Sequence, residues 1–371
     1  MKAQGFILLV IGAIGISLPA IGGISYTCDA TITVAQCSYL NTTVAGLYNT
    51  TFTNANATIY IQRNTAGLGE STGALNQQSY TAYRNALETE STDPAKATVL
   101  ASEPALYGGG NVELTSALKA AMGIGGTTFG TEFDAGGSAN TGWAGASCTT
   151  PGDGAVVVAS ASACYNGILT VATDAFLSTE TSGTQGLWYR TGGPQPGNDY
   201  DFYSVVEHET DEILGTSSCY FTTPASAGPP PVPASISDGC SGTNVAPADL
   251  FRYSANGTRT LNTVGGTAYF SADTGATDYE GNLFDNAENG NDWADFSNSC
   301  TFVQDGFGCL GGSFDITTDN NGTSGAGPEV AILNAVGFNL AQSAIPEPGT
   351  LGLLGASFLA LALGRKRLRR N

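Results

Sequence analysis

The sequence has few basic residues and a single histidine, His208. Its 371 residues contain 13 lysines and arginines against 32 aspartates and glutamates, giving a formal net charge of −19. Binding to a nucleic-acid backbone requires clustered cations that displace counterions, so nucleic acid is excluded as a main partner. Only 12% of the residues are charged, whereas 42% are hydrophobic, which is enough apolar material for a folded core.

Several catalytic and metal-binding patterns are also missing. The chain has no Cys-x-x-Cys pair, which argues against a zinc site built from thiolates. It has no Gly-x-Ser-x-Gly motif between a strand and a helix, and no glycine-rich phosphate loop that ends in lysine. These absences disfavour serine hydrolases of that type and nucleotide-binding enzymes.

The amino terminus has the layout of a secretory signal peptide. Lys2 precedes an apolar run over residues 6–16, and small residues follow near Ala20. The run is shorter than the roughly 20 residues that span a bilayer, so we expect residues 1–23 to be removed on export. A buried amino-terminal strand and a retained anchor are the alternatives.

The carboxyl terminus has three parts. Pro346-Glu347-Pro348 comes first, then an apolar stretch over 351–364, then a basic tail over 365–370. This layout resembles the PEP-CTERM sorting signal of Gram-negative bacteria. The resemblance implies that residues 345–371 anchor the chain transiently in the inner membrane through a transmembrane helix. It also implies removal of the signal by an exosortase and delivery to the cell surface or extracellular polymer. A plain membrane anchor is the alternative.

All eight cysteines lie between these two signals. An even number in an exported chain predicts disulfides, and the spacing favours pairs that are neighbours in sequence. The expected pairs are Cys28–Cys37, Cys148–Cys164, Cys219–Cys240 and Cys300–Cys309.

The pattern of the remaining chain predicts one α/β (α+β) domain over residues 24–342, with a mixed sheet and a loop-rich, disulfide-linked carboxyl-terminal part. Strands are expected over 57–62, 155–159 and 168–172. Helices are expected over 40–47, 79–90, 94–102, 112–122, 201–214 and 329–336.

The helix predicted over 201–214 carries the most informative residues. His208 and Glu212 are four residues apart and therefore project from one helical face, and Glu209 lies beside them. An imidazole and a carboxylate at this spacing can share a divalent ion, while a second carboxylate takes a proton from water. An ordinary exposed helix face is the alternative interpretation.

The order of these residues resembles the zincin motif His-Glu-x-x-His, and with Gly215 and Ser218 it overlays the longer metzincin form. Here Glu212 replaces the second histidine and Ser218 the third. The resemblance implies that His208 and Glu212 bind zinc, that Glu209 is the general base, and that Gly215 lets the chain turn under the site.

No second histidine is available as the third ligand. Asp249 is the first candidate, because its segment follows the helix after a loop that could return over the cleft. A buried ion pair between Asp249 and Arg252 is the alternative, and Asp238 is a more distant candidate.

A wider resemblance covers most of the body. Residues 52–59, 249–254, 268–271 and 333–338 look like a group of PEP-CTERM proteins described as metalloproteases. The resemblance implies a zincin-like domain in an exported, zinc-dependent metalloendopeptidase acting on peptides or proteins. The alternative is a non-catalytic structural or adhesive matrix protein on the same scaffold.

Two acidic loops, over 285–292 and 315–322, offer oxygen ligands for calcium. Neither matches the twelve-residue EF-hand pattern, because Ala287 occupies a ligand position and Phe296 falls where a bidentate acid belongs. Solvated turns are the alternative.

Overall fold

A computed structural model describes most of the chain between the two terminal signals. The described residues are 23–64, 67–90, 95–100, 111–125, 131–134, 142–143, 156–158, 163–180, 185–190, 193–219, 244–260, 268–278, 284, 292–297, 300–318 and 327–341.

Fourteen strands lie in the described parts of the chain. In order they are β1 (Ile24–Cys28), β2 (Ala57–Asn64), β3 (Gly69–Gln78), β4 (Val112–Thr115), β5 (Thr131–Asp134), β6 (Gly142–Trp143), β7 (Val156–Val158), β8 (Ala163–Tyr165), β9 (Gly167–Ala172), β10 (Gly186–Trp188), β11 (Asp199–Asp201), β12 (Arg252–Ala255), β13 (Thr258–Arg259) and β14 (Tyr269–Phe270).

The described helices are mostly short. They are α1 (Val34–Tyr39), α2 (Ala45–Thr51), α3 (Tyr80–Glu90), α4 (Ala95–Val99), α5 (Ser116–Ala121), α6 (Asp174–Glu180), α7 (Phe202–Asp211) and α8 (Pro328–Val336). Two π-helical turns, Leu40–Val44 and Glu212–Thr216, and one 3-10 turn, Ala248–Phe251, complete the set.

The main sheet is mixed. Its strand order is β1-β2-β9-β3-β4, with β5 also paired to β3. Strands β1, β2 and β9 run parallel, whereas β3 runs antiparallel to β9, β4 and β5. The mixed α/β class predicted from the sequence is therefore confirmed. Smaller sheets pair β10 with β11, β12 with β13 and β14, and β7 with β6 and β8.

Helix α7 packs against the centre of this sheet. It contacts β3 and β9 on one side and the π-helical turn Leu40–Val44 on another. Phe202, Tyr203 and Val206 are buried in the core, and tyrosines from neighbouring elements reach its polar groups. The Tyr48 hydroxyl donates to Asp211 Oδ1 at 2.7 Å, and the Tyr26 hydroxyl lies 2.9 Å from the Thr210 hydroxyl.

The prediction of a helix over 112–122 is wrong for the first half of that range. Residues Val112–Thr115 form β4, which pairs antiparallel with β3, and only Ser116–Ala121 are helical. Thr115 ends the strand and begins the helix, because its hydroxyl accepts a hydrogen bond from the Leu118 backbone at 3.1 Å. The residues of β4 are buried, so packing in the sheet outweighs their helical spacing.

Two predicted disulfides are confirmed, Cys28–Cys37 and Cys300–Cys309, with Cα separations of 6.0 and 5.3 Å. Cys219 is also disulfide-bonded. Its predicted partner Cys240 lies outside the described residues, as does Cys148.

Apart from Gly23, the predicted signals at both ends lie outside the described residues. No described helix is long and apolar enough to cross a membrane. The apolar stretch over 351–364 is not among the residues searched.

Candidate metal site

The site is built on one face of α7. Asp201 begins the helix, with its carboxylate accepting a hydrogen bond from the Tyr203 backbone at 2.9 Å and from the Arg190 guanidinium at 2.7 Å. Ser204, His208 and Glu212 recur every four residues and line one cavity. Val205 and Glu209 line the cavity beside this stripe, and the remaining faces of the helix are buried against the core.

The helix widens into a π-helical turn where the site ends. Gly215 has a φ of 129°, a conformation that side-chain-bearing residues rarely adopt. A Cβ atom there would also lie 3.2 Å from Leu118. The glycine thus allows the chain to turn beneath Glu212, as the sequence motif predicts. Widened turns of this kind are frequent at functional sites.

His208, Glu209 and Glu212 form a compact cluster. One ligand atom from each lies within 4.8 Å of the others, the only such group of three among the described residues. His208 Nε2 and Glu212 Oε1 are 3.7 Å apart. Glu209 and Glu212 are buried, and the side chain of His208 is 16% exposed. The interpretation as an open, solvated helix face does not fit this burial.

Asp295, which the sequence analysis missed, lies beside this cluster on the His208 side. Its Oδ1 lies 3.7 Å from His208 Nε2, the same distance as Glu212 Oε1 on the same nitrogen. The carboxylate also accepts a hydrogen bond from Gln304 Nε2 at 2.9 Å. The one feature of the sequence that could have indicated Asp295 is the neighbouring Trp293. Because this tryptophan is buried, the acidic residues beside it lie inside the fold.

A backbone carbonyl fixes the orientation of the imidazole. His208 Nδ1 lies 2.9 Å from the carbonyl oxygen of Val303 and donates its hydrogen to it. Nε2 therefore faces Glu212, Asp295 and the Gln304 amide. Metal-binding histidines are commonly held in this way, with one ring nitrogen donating to a carbonyl and the other facing the ion.

Strand β3 contacts both glutamates. The Ser71 hydroxyl donates to Glu212 Oε2 at 2.7 Å. Gly69 gives Glu209 its space, because a Cβ atom at Gly69 would lie 2.2 Å from Glu209 Oε1. The strand thus fixes the ends of both carboxylates relative to His208.

The two glutamates differ in pKa. Burial and the nearby charge of Glu212 raise the pKa of Glu209 well above its usual range. Burial alone would raise the pKa of Glu212, but the hydrogen bond and charge of His208 and the hydrogen bond from Ser71 lower it. The pKa values of the two glutamates are therefore shifted in opposite directions, and Glu209 is the more readily protonated of the pair.

Carboxylates also raise the pKa of His208. Burial alone would lower it, but Asp295, Glu212 and Glu209 together raise it well above the usual value. The surrounding carboxylates thus favour a proton on His208 in the metal-free site. A divalent ion would replace that proton, so the cluster favours positive charge in either state.

Asp249, the third ligand expected from the sequence, lies outside this cluster. Its Oδ2 accepts hydrogen bonds from the Cys219 and Ala246 backbones at 3.1 and 2.8 Å. Its Oδ1 accepts one from the Ser218 hydroxyl. These contacts hold the chain after the π-helical turn against the 3-10 turn. The other candidate, Asp238, is not among the described residues.

Asp292, at the end of the first predicted calcium loop, has a similar role. Both of its carboxylate oxygens lie 2.9 Å from the Ser218 backbone nitrogen, which donates to them. The Ala294 backbone donates to Oδ1 at 2.6 Å. The rest of that loop, over 285–291, lies outside the described residues, as does 319–322 of the second.

The donors fit zinc better than calcium. Zinc binds nitrogen and carboxylate oxygen at about 2.0–2.2 Å, so two ligands of one ion lie about 3.3–3.6 Å apart. The two 3.7 Å separations around His208 Nε2 are close to this range. His208, Glu212 and Asp295 do not all lie within 4.8 Å of one another, so the oxygens of Glu212 and Asp295 must approach each other when an ion binds. Calcium prefers six to eight oxygen ligands, and an imidazole is a poor member of that set.

The cluster lies in a cavity of about 440 Å³. Besides the acids, the cavity is lined by Leu68, Tyr200, Phe302, Phe307 and Phe314, and residues 302–309 contribute one wall. This volume is large enough for several peptide side chains. The arrangement can hold an ion and a proton acceptor beside a bound substrate.

Comparison with known proteins identifies the carboxyl-terminal signal. Residues 344–370 match the family model described as the PEP-CTERM protein-sorting motif. The motif indicates an exported protein that is sorted to the cell surface by an exosortase. No curated protein and no solved structure shows significant similarity to the chain. The resemblance to zincin metalloproteases therefore stays a prediction.

Proposed function

We propose that this exported protein is a zinc-dependent hydrolase, a metalloendopeptidase, with its metal held by His208, Glu212 and Asp295. Asp295 takes the place that the sequence analysis gave to Asp249. The observation that carries the proposal is the pair of 3.7 Å separations from His208 Nε2 to Glu212 and Asp295.

Each residue then has a separate task. Zinc held by His208, Glu212 and Asp295 would supply Lewis-acid chemistry towards a substrate carbonyl and the attacking water. Glu209 accepts the proton of the attacking water and returns it to the leaving amine. Ser71 and the Val303 carbonyl fix the orientations of Glu212 and His208, which keeps the nitrogen and oxygen donors converging.

Carboxylate ligands in place of histidines change how strongly the bound ion activates water. Two anionic ligands add negative charge around the ion and reduce its power to activate water. Slow hydrolysis is therefore expected, with firm metal binding.

The sorting signal supports a location for this activity. In the proposed pathway, residues 1–23 direct export in a Gram-negative bacterium, and residues 345–371 hold the chain transiently in the inner membrane. The released protein would meet peptides or proteins in the extracellular polymer.

Metal analysis and hydrolysis test the proposal together. The purified chain, dialysed against zinc, should retain one zinc equivalent, and His208→Ala should lose it. Glu209→Gln should retain the zinc and lose hydrolysis of an unfolded protein, because it keeps the side-chain volume but removes the proton acceptor.

Two outcomes would contradict the proposal in different ways. If the wild-type chain retained no zinc, the proposed metal site would be wrong. Stoichiometric zinc with no hydrolysis, in wild type and Glu209→Gln alike, would favour the non-catalytic matrix protein.

A further inference from the structure

The mouth of the cavity carries an exposed aromatic side chain. Among the described residues, only Val34, Phe307 and Leu310 are large hydrophobic side chains with high exposure. Phe307 is 47% exposed and lines the cavity, whereas Leu310 is 42% exposed and does not. Phe307 is thus the one exposed large hydrophobic side chain of the described residues that lines the cavity, and buried aromatic contacts are common energetic centres of binding sites.

The segment that carries Phe307 is held in place. The Cys300–Cys309 disulfide closes it, and Gly308 packs directly on the strand side of the cavity. A Cβ atom at Gly308 would lie 2.1 Å from Leu68 and 3.1 Å from Tyr200. Phe307 is therefore presented next to a fixed apolar surface formed by Leu68 and Tyr200, with Phe314 also lining the cavity.

The interior of the cavity is acidic. Seven of its lining residues are aspartate or glutamate, whereas none of the described lining residues is lysine or arginine. Arg190 neutralises Asp201 through its 2.7 Å ion pair, and one zinc ion would offset two more carboxylates. Negative charge still remains, including Glu70 on β3 and Asp305 in the loop, and it favours positively charged ligands.

We infer that the cavity selects cationic peptide segments in which a large apolar side chain lies next to lysine or arginine. The apolar side chain packs on Phe307 at the mouth, and the basic side chain enters the acidic interior. This inference rests on the proposed function, since it names the substrate class of the same site.

Binding to the zinc-loaded Glu209→Gln protein tests the inference without turnover. The probes are fluorescent octapeptides that share one sequence except for a central Phe-Lys, Phe-Glu or Ser-Lys pair. We expect Phe-Lys to bind at least about tenfold more tightly than Phe-Glu at low salt, and the ratio to shrink as salt rises. Ser-Lys should also bind about tenfold more weakly than Phe-Lys.

Two variants of one loop provide the matched control. Added to Glu209→Gln, Phe307→Ser should weaken Phe-Lys binding about tenfold, because burial of the aromatic contact is lost. Leu310→Ser, at similar exposure outside the cavity, should leave the affinity unchanged. Both side chains are exposed, so circular dichroism should show unchanged folding.

Equal affinity for Phe-Lys and Phe-Glu, or equal effects of the two loop variants, would overturn the inference. A concentration-dependent dimer that Phe307→Ser abolishes would also overturn it, because a second copy would then occupy the mouth. Hydrolysis without charge preference would leave the proposed function standing. Selective binding of the Phe-Lys peptide by a protein that hydrolyses nothing would support the inference about binding and contradict the proposed hydrolase function.

Discussion

Two buried aspartates, Asp249 and Asp295, have different environments and hence different roles. Asp249 accepts hydrogen bonds from two backbone amides and a hydroxyl, which use both of its oxygens. Asp295 faces the imidazole of His208 across 3.7 Å and accepts from the Gln304 amide. The first arrangement stabilises a loop, and the second suits the proposed metal ligand.

Amide substitutions distinguish these roles. Asp295→Asn should lower zinc affinity by at least about 100-fold, since losing a ligand should cost no less than the 10–100-fold typical of groups that only support a ligand. Asp249→Asn should leave zinc affinity unchanged. The measurement is competition with a chelator of known affinity.

Asp249→Asn is a conservative control, because its amide oxygen can accept both backbone hydrogen bonds while its NH₂ donates to Ser218. If Asp249→Asn lost zinc while Asp295→Asn retained it, the assignment from the sequence would be right and the one proposed here wrong.

The burial of Asp249 also predicts a pH dependence of stability. Burial raises the pKa of Asp249 to about 6, despite the hydrogen bonds that it accepts. A carboxyl whose pKa is higher in the folded than in the unfolded chain stabilises the fold while protonated. This contribution is fully present below about pH 4 and is lost as the pH rises through 6. Its size is about 3 kcal/mol.

Urea unfolding of the metal-free protein between pH 4 and 7.5 measures this loss. The difference in free energy of unfolding between wild type and Asp249→Asn should change by about 3 kcal/mol in favour of the variant as the pH rises. Other buried acids, such as Glu329, contribute equally to the free energy of unfolding of both proteins, so their contributions cancel in the difference. Parallel curves would show that Asp249 does not titrate with a raised pKa.

At the scale of elements, strand β3 positions the proposed base. Gly69→Ala would place a methyl group 2.2 Å from Glu209 Oε1 and 2.7 Å from Val205. The end of the Glu209 side chain must then move. We expect kcat to fall about tenfold to 100-fold with zinc content retained, because small displacements of a catalytic group are costly.

Gly46→Ala on α2 is the matched control, because a Cβ there meets nothing within 4 Å. It should leave kcat unchanged and stabilise the helix by about 0.5–1 kcal/mol. Equal kcat values for Gly69→Ala and wild type would argue against Glu209 as the base.

Periodicity alone predicts several elements of this fold. The regular spacing around His208 predicts α7 and its polar face, and alternation predicts β2. Strand β3 escapes prediction because its sequence, Gly-Glu-Ser-Thr-Gly-Ala-Leu-Asn-Gln-Gln, has little apolar or β-branched content. It forms a strand because β9, β4 and β5 supply its hydrogen bonds.

The site is predictable only where its residues are local in sequence. His208, Glu209, Glu212 and Gly215 lie on one helix and its end, so their spacing indicates their arrangement. Asp295 reaches His208 through an irregular loop, and no periodicity specifies where such a loop folds. The structure therefore adds a candidate for the third ligand of the proposed site, which the sequence motif lacks.

For the whole molecule, the excess of acidic residues is consistent with an exported protein. Without the terminal signals, the body carries seven lysines and arginines against 31 aspartates and glutamates. Many of these acids are buried around α7, among them Glu207, Asp211 and Glu329. Burial raises the pKa of each, because an ionised carboxylate is costly away from water, and a nearby cation would offset that cost.

Anomalous X-ray scattering at the zinc edge, from crystals of the zinc-loaded protein, tests the central claim most directly. The account predicts a strong peak about 2.0–2.2 Å from His208 Nε2 and from carboxylate oxygens of Glu212 and Asp295. A peak at Asp249 with none beside His208, or no peak in the cavity, would contradict it.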